Sequence, residues 1–267
     1  MADTWDMMQD WNLVLPPSRP SAAQLSQIVE TIRGVDRSNA VAVLGSTPEF
    51  RDLLYECGFT NIHVLDRNET FHNAVSAMRV YKNSETFIKG DWLETLPGFR
   101  NTFALILSDL TSGNISYDNR AAFYNLIAQS LRVEGLFNDR VLTHPGLNLS
   151  IDELLTKYER LPLNLLYANY FSCEMLFCSD LLEINKMVDS SVFYTALMER
   201  VKNPRVLAFI NYAHKITPPG CQWWYGRKWH ALEKDYCPNL VRIFTHDEES
   251  GSPYFGRAQQ FTLIRRN

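Results

Sequence analysis

The amino-acid sequence predicts an α/β fold: a mostly parallel sheet with helices on both faces, a helical cap inserted before its end, and an antiparallel strand to finish it. Three observations carry the prediction. Strand-like and helix-like segments alternate through residues 25–145, the pattern of parallel strands joined by right-handed crossover helices. The alternation stops after Pro145, and residues 146–236 read as mainly helical and dense in aromatics. Two strand-like runs then close the chain around a turn through Gly251 and Pro253, which reads as an antiparallel pair.

Taken in order, residues 1–20 form a tryptophan-bearing arm ending in Pro16, Pro17 and Pro20. Ser21 is placed to cap a helix whose Leu25, Ile28, Val29 and Ile32 share one face, and Gly34 ends it. AVAVL (40–44) reads as a buried strand, PEFRDLLYEC (48–57) as a helix stopped by Gly58, and NIHVLD (61–66) as a second strand. ETFHNAVSAMRVY (69–81) is the next helix, TFIKGD (86–91) a short third strand and TFALILSDL (102–110) a fourth. RAAFYNLIAQSLR (120–132) puts Phe123, Leu126, Ile127 and Leu131 on one side of a helix; Gly135 punctuates it, and LFNDRVL (136–142) is the fifth strand. IDELLTKYERL, LLYANYFSCEMLFCSDLLEINKMV and SVFYTALMERV supply the helices of the insertion, and NLVRIFTHDEE (239–249) and QQFTLIRR (259–266) the final strands. The expected organisation is therefore a ligand-binding core with its arm (1–145), a helical cap (146–236) and a strand pair completing the sheet (237–267).

Composition narrows the function. The 267 residues are 46% hydrophobic and 21% charged, enough for a packed core. A formal net charge of −4 argues against a nucleic-acid backbone as partner. The acidic N-terminus lacks the basic region of a signal peptide, and no uncharged apolar run is long enough to span a bilayer. A cytoplasmic protein with no membrane partner is expected. The five cysteines fit no zinc spacing, so reduced, mostly buried thiols and no metal are expected. HExxH, P-loop and GxSxG patterns are lacking.

The ends of the strands carry the chemistry. Ligands of an open parallel sheet sit beyond the carboxyl ends of its strands. Gly45 permits a positive φ after the first strand, Thr47 can cap the next helix, and Pro48 suits its first turn. Asp66 ends the second strand, where a carboxylate can accept both hydroxyls of a ribose or cap a helix. Asp91 and Trp92 follow the third: Asp91 is a turn aspartate or an acceptor for an adenine amino group, and Trp92 a ring to stack on it or wall the pocket. The fourth ends in SDLTSGN, acidic and then rich in small polar residues. Four successive ends of this kind point to a nucleoside site. A dinucleotide is the competing ligand, but a loop with one glycine cradles a pyrophosphate poorly.

These residues in this order resemble the class I S-adenosylmethionine-dependent methyltransferases. VLGSTPEF looks like a one-glycine form of that family's first motif, VLDRN its acidic second, KGDW its third and ILSDLTSGN its fourth, while LIAQSLRVEGL is similar to the helix and turn before the fifth strand. The resemblance covers residues 25–145 and 237–266. It implies a Rossmann-like, seven-stranded, mostly parallel sheet with its last strand antiparallel, and S-adenosyl-L-methionine as the cofactor. By position it implies that Gly45 and Ser46 approach the methionine end, Asp66 with Arg67 holds the ribose, Asp91 and Trp92 hold adenine, and Asp109, Leu110 and Thr111 line the sulfonium side. Apolar Val43 and Leu44 stand where the family has an acid, so the methionine amine needs another partner, for which Asp109 is a candidate.

Three residues are candidates for the chemistry. Tyr167 and Tyr170, three apart on a helix, can face a cation together. Asn138 interrupts a strand buried on both faces; it either pairs with a neighbouring segment or reaches the pocket to orient an amine or water, and Asp139 must point the other way. His144 is the histidine best placed as a base. The leading expectation is an enzyme methylating a small molecule by in-line displacement at the methyl carbon. One alternative is a non-methylating enzyme that releases methylthioadenosine, by cyclisation to azetidine-2-carboxylate or as a lyase. A non-catalytic partner subunit is another.

Overall fold

The computed structural model describes residues 11–82, 84–143, 149–178, 180–181, 187–224, 238–247 and 258–266. Five strands enter a parallel arrangement: β1 (Val41–Leu44), β2 (Ile62–Asp66), β3 (Thr86–Lys89), β4 (Phe103–Asp109) and β5 (Leu131–Leu142). Two two-residue strands in the cap, β6 (Val188–Asp189) and β7 (Gln222–Trp223), pair separately. β8 (Leu240–His246) and β9 (Ala258–Arg265) complete a seven-stranded sheet of order β3-β2-β1-β4-β5-β9-β8, in which β9 runs antiparallel to both of its neighbours. The order reverses between β1 and β4, which opens a cleft at their carboxyl ends.

Helices α1 (Ala22–Thr31) and α2 (Pro48–Glu56) cover one face of the sheet; α4 (Trp92–Thr95) and α5 (Tyr117–Ser130) cover the other, and α3 (Glu69–Met78) flanks β2. Alternation along the strands decides which residue packs where. Val41, Val43, Leu105 and Leu107 meet Ile28, Phe50 and Leu54 on the first face, whereas Ala42, Leu44 and Ile106 meet Trp92, Phe123 and Ile127 on the second. Both faces are covered, so β1 is buried along its whole length. Helix starts follow local chemistry. Ser21 and Gln24 form a reciprocal capping box on α1, and Asn68 caps α3.

Several boundaries differ from the expectation: α3 ends at Met78 and not at 81, and the helix that starts at Leu165 ends at Met175 inside the run 165–188 read as helical. α5 begins at Tyr117 and ends at Ser130, and β5 starts at Leu131, so Gly135 lies inside the strand. There the register with β4 shifts, Glu134 has φ +62°, and a Cβ on Gly135 would lie 2.8 Å from the Arg132 carbonyl. Gly135 is thus the residue that lets a bulge form beside a neighbouring backbone.

Helices α6 (Ile151–Arg160), α7 (Leu165–Met175), α8 (Ser190–Arg200) and α9 (Pro204–Ile216) form the cap around its own buried cluster, centred on Tyr158, Phe171 and Phe209. The arm is a structural element. Trp11 and Val14 are buried against Val75 of α3 and Ile216 of α9, so this stretch joins core to cap. No described helix is long and apolar enough to cross a membrane. Cys57, Cys173, Cys178 and Cys221 are free thiols; the Gly251–Pro253 turn and Cys237 lie outside the described residues.

Candidate functional site

The reversal in strand order opens into a cavity of about 220 Å³, bounded by the tips of β1, β2 and β4, the turn after β3, the arm and the cap. The first loop is tight. Gly45 has φ +84° and donates its N–H to the Leu65 carbonyl at 2.9 Å, a conformation that glycine adopts without strain. Ser46 is buried; its hydroxyl donates to Asp66 Oδ2 at 2.7 Å and lies 3.3 Å from His72 Nδ1. The Ser46 carbonyl accepts from Arg51 Nη1 at 3.2 Å. Arg51 is fully buried and held by Glu85 and the Ser76 hydroxyl. A guanidinium behind the loop thus positions what a glycine-rich turn would otherwise shape. His72 stacks on Phe87 at 4.0 Å, and burial, aided by the Arg51 charge, pushes its imidazole down to about 4, so it is neutral near pH 7.

Asp66 is buried, with Oδ1 accepting from the Asn68 N–H at 3.0 Å. Asn68 uses Oδ1 to cap α3, and its Nδ2 is buried without a partner among the described residues. Asp91 accepts from the Leu93 N–H at 2.8 Å and caps α4, while Trp92 anchors its ring by donating Nε1 to the Leu65 carbonyl at 2.7 Å. At the end of β4, Leu110 adopts φ +56°, ψ +13°, a left-handed conformation that is strained for leucine. Thr111 donates to the Leu44 carbonyl at 3.1 Å, and the Ser112 hydroxyl is buried without a partner among the described residues. Two unpaired buried polar groups on one cavity wall are what a polar ligand would satisfy.

Gly45, Ser46, Asp66, Arg67, Asp91, Trp92, Asp109, Leu110 and Thr111 all line this one cavity. Asp109 is not placed as expected for the methionine amine. Arg140 Nε and Nη2 lie 2.7 and 2.6 Å from its Oδ1, and the Thr47 hydroxyl donates to its Oδ2 at 2.9 Å. Its charge is neutralised inside the protein, which leaves little for an ammonium. Thr47 for the same reason makes no side-chain cap on α2.

The three residues expected to act in the chemistry are not among the described residues lining the cavity. Asn138 is buried in β5, where its Nδ2 donates to the Thr262 hydroxyl of β9 at 3.0 Å while its Oδ1 finds no partner among the described residues; the side chain is turned to the neighbouring strand and not to the cavity. Tyr167 and Tyr170 meet edge to face at 6.1 Å and pack on the cap's own cluster. Of the cap aromatics, Phe177, Trp223 and Trp224 do face the cavity. Tyr225, Trp229 and His144 lie outside the described residues. Asp139 points away from Asn138 as alternation requires, and accepts from Ser108 at 2.7 Å and Tyr124 at 2.8 Å. Complete burial raises its carboxyl to about 7 against those two bonds.

Sequence reading missed the arm and Arg140. Trp11, Val14 and Ser18 line the cavity. Trp11 Nε1 donates to Glu49 Oε1 at 2.9 Å, and Asn169 of α7 clamps the arm by accepting from the Leu15 N–H and donating to the Leu13 carbonyl, both at 2.9 Å. Arg140 Nη1 donates to the Pro17 carbonyl. The signal for Arg140 was present: a charge inside a buried strand requires a counter-charge, and in-register β4 and β5 set Asp109 opposite it.

No protein-family model matches the chain, and no curated protein matches it. Solved structures do. The chain is similar to a putative zinc-dependent alcohol dehydrogenase from Rhodobacter sphaeroides (14% identity, covering 98% of each chain, TM-score 0.56). It is similar to an N-methyltransferase from Bradyrhizobium japonicum in complex with S-adenosylhomocysteine (7% identity, covering 97% of this chain and 93% of that one, TM-score 0.52). A S-adenosylmethionine-dependent methyltransferase from Methanosarcina mazei is also similar (6% identity, covering 90% and 96%, TM-score 0.51). The similar structures are mainly methyltransferases of this kind. Sheet order, the antiparallel last strand and these likenesses together establish that the chain has the Rossmann-like fold of the class I S-adenosylmethionine-dependent methyltransferases.

Proposed function

We propose that this protein binds S-adenosyl-L-methionine and transfers its methyl group to a small molecule. One observation carries the reading: side chains from the tips of β1, β2 and β4 and from the turn after β3 converge on a single cavity. The similar structures with S-adenosylhomocysteine bound support it. Asp66 and the unpaired Asn68 Nδ2 would hold the ribose, Asp91 and Trp92 the adenine, and Gly45, Ser46 and the unpaired Ser112 hydroxyl the methionine end. The ligand supplies a methyl group already activated by its sulfonium. The chain's residues therefore need above all to position the acceptor in line with the methyl group and exclude water, with any acceptor proton passing to solvent as S-adenosylhomocysteine leaves, and positioning alone can account for several kcal/mol of a barrier. The arm and cap close over the strand tips, and aromatic faces there favour a cation by roughly 0.5–2 kcal/mol each.

Calorimetric titration with S-adenosylhomocysteine, followed by analysis of the nucleoside left after incubation with S-adenosylmethionine and candidate acceptors, tests the reading. S-adenosylhomocysteine as product supports it. Methylthioadenosine as product would mean cyclisation or lyase chemistry. Absence of binding heat would leave a non-catalytic partner subunit.

A further inference from the structure

We infer that the acceptor is an uncharged aromatic molecule, bound in a chamber built by the arm and the cap. The inference rests on the proposed S-adenosylmethionine site and goes on to name what lies beyond it. The cavity divides by chemistry. Its ionised side chains, Asp66, Arg67, Asp91 and Asp109, all stand at the strand tips. The described residues on the arm and cap side carry none. Rings from three separate parts of the chain meet there: Trp11 of the arm, Phe71 of α3, and Phe177, Trp223 and Trp224 of the cap. Trp11 and Phe71 already contact each other edge to face at 5.9 Å, and the backbone fixes Trp224, whose N–H donates to the Gly113 carbonyl at 2.7 Å and whose carbonyl accepts from Arg120 Nη2 at 3.2 Å.

Charge decides what such a chamber can admit. An ionised carboxylate or phosphate moved from water into it finds no described counter-ion, and an unpaired buried charge is strongly disfavoured. Among the described residues the cations nearby are committed elsewhere: Arg140 to Asp109 and the Pro17 carbonyl, Arg120 to the Ile115 and Trp224 carbonyls, and Arg19 to Glu49, while Arg67 stands at the strand tips. Among the described residues, Ser18, Thr217 and Gln222 are neutral polar groups on this side; each is held by a protein partner, Cys173, Ser172 and Asp189 in turn, and the remaining capacity of two hydroxyls and an amide is enough to orient a ring through one or two hydrogen bonds. Planar apolar walls with a few polar points are the usual recognition surface for a neutral aromatic ligand.

The test uses the full-length protein and reads binding, not turnover. Titration with S-adenosylhomocysteine comes first. The saturated protein is then titrated with a panel of uncharged one- to three-ring aromatics, quinoline among them, and with their carboxylated counterparts, read by tryptophan fluorescence and calorimetry. The expected result is that the best neutral probe binds more than about tenfold tighter than its carboxylate. Trp224→Ala should weaken that probe by about two- to tenfold with S-adenosylhomocysteine affinity unchanged, and Trp224→Phe should restore most of the loss. If S-adenosylhomocysteine binds but carboxylates bind as well as neutral rings, or no neutral ring binds, the inference is overturned while the adenosyl site stands. If S-adenosylhomocysteine itself fails to bind, both are overturned.

Discussion

Replacing Arg140 with methionine tests how the site is held together. The Arg140 and Asp109 side chains are 0% and 4% exposed. Two guanidinium nitrogens reach Asp109 Oδ1, and the third donates to the Pro17 carbonyl of the arm. Methionine fills the space of the aliphatic stem but removes the charge, leaving a buried carboxylate with the Thr47 hydroxyl as its remaining protein partner. Breaking one half of a buried ion pair costs about 3–5 kcal/mol. At about 2–4 °C per kcal/mol for a chain of this size, Arg140→Met should melt about 6–20 °C lower. Removing both charges, in Arg140→Met with Asp109→Leu, eliminates the orphan and should recover at least half of the loss, because well-packed apolar replacements of buried pairs are often neutral. Differential scanning calorimetry near neutral pH reads both variants. A single variant within about 2 °C of the parent, or a double variant no better than the single, would refute this account of Asp109 and Arg140.

Three further outcomes follow from the site. Asp66→Ala should lose two ribose hydrogen bonds to a charged acceptor, roughly 1.5–3 kcal/mol each, so S-adenosylhomocysteine affinity measured by calorimetry should fall by about a hundredfold or more; an unchanged affinity would remove the ribose assignment. His72 has its folded pKa depressed to about 4, so the stability it contributes is present above the unfolded value near 6.5 and is lost as pH falls toward 4. Urea unfolding near pH 7.5 and pH 5 should show a loss of about 2 kcal/mol that His72→Gln lacks. Asp139 has the opposite sign: its folded pKa is raised to about 7, so its contribution is fully present below the unfolded value and is lost as pH rises through 7. Asp139→Asn should therefore flatten the fall in stability between about pH 5.5 and pH 8, by roughly 2 kcal/mol; equal slopes in the two proteins would mean that the carboxyl is not held as described.

Most of the sheet was legible because its central strands, β1 and β4, are buried on both faces, and because helices such as α1, α3 and α6 follow the period of their apolar residues. VAVL and FALIL have no polar side to show, and that is itself the mark of a central parallel strand. The site residues at strand tips were legible for a related reason. Parallel topology brings every carboxyl end to one edge, so residues far apart in the chain, such as Gly45 and Asp109, need only sit at their strand ends to meet. Asn138 was not legible. Strand periodicity says that it and Asp139 face opposite ways, but not which neighbour each finds, and the neighbour proved to be Thr262 of β9. Tyr167 and Tyr170 misled in the same manner, because a helix face shared by two rings says nothing about what packs against it.

What the sequence determined alone is thus whatever depends on local period and chain order: most of the strands and helices, the cap at Ser21, the positive φ at Gly45 and the gathering of acidic tips at one edge. What only the tertiary structure decided is lateral partnership. Arg140 takes up the charge of Asp109, Arg51 holds the loop that lacks glycines, and the arm rather than Tyr167 and Tyr170 walls the cavity. The physical reason is that buried polar groups choose partners by register and proximity between segments more than a hundred residues apart, as Arg140 does with Pro17 and Asn138 with Thr262. A linear pattern encodes the need for such a partner but not its identity.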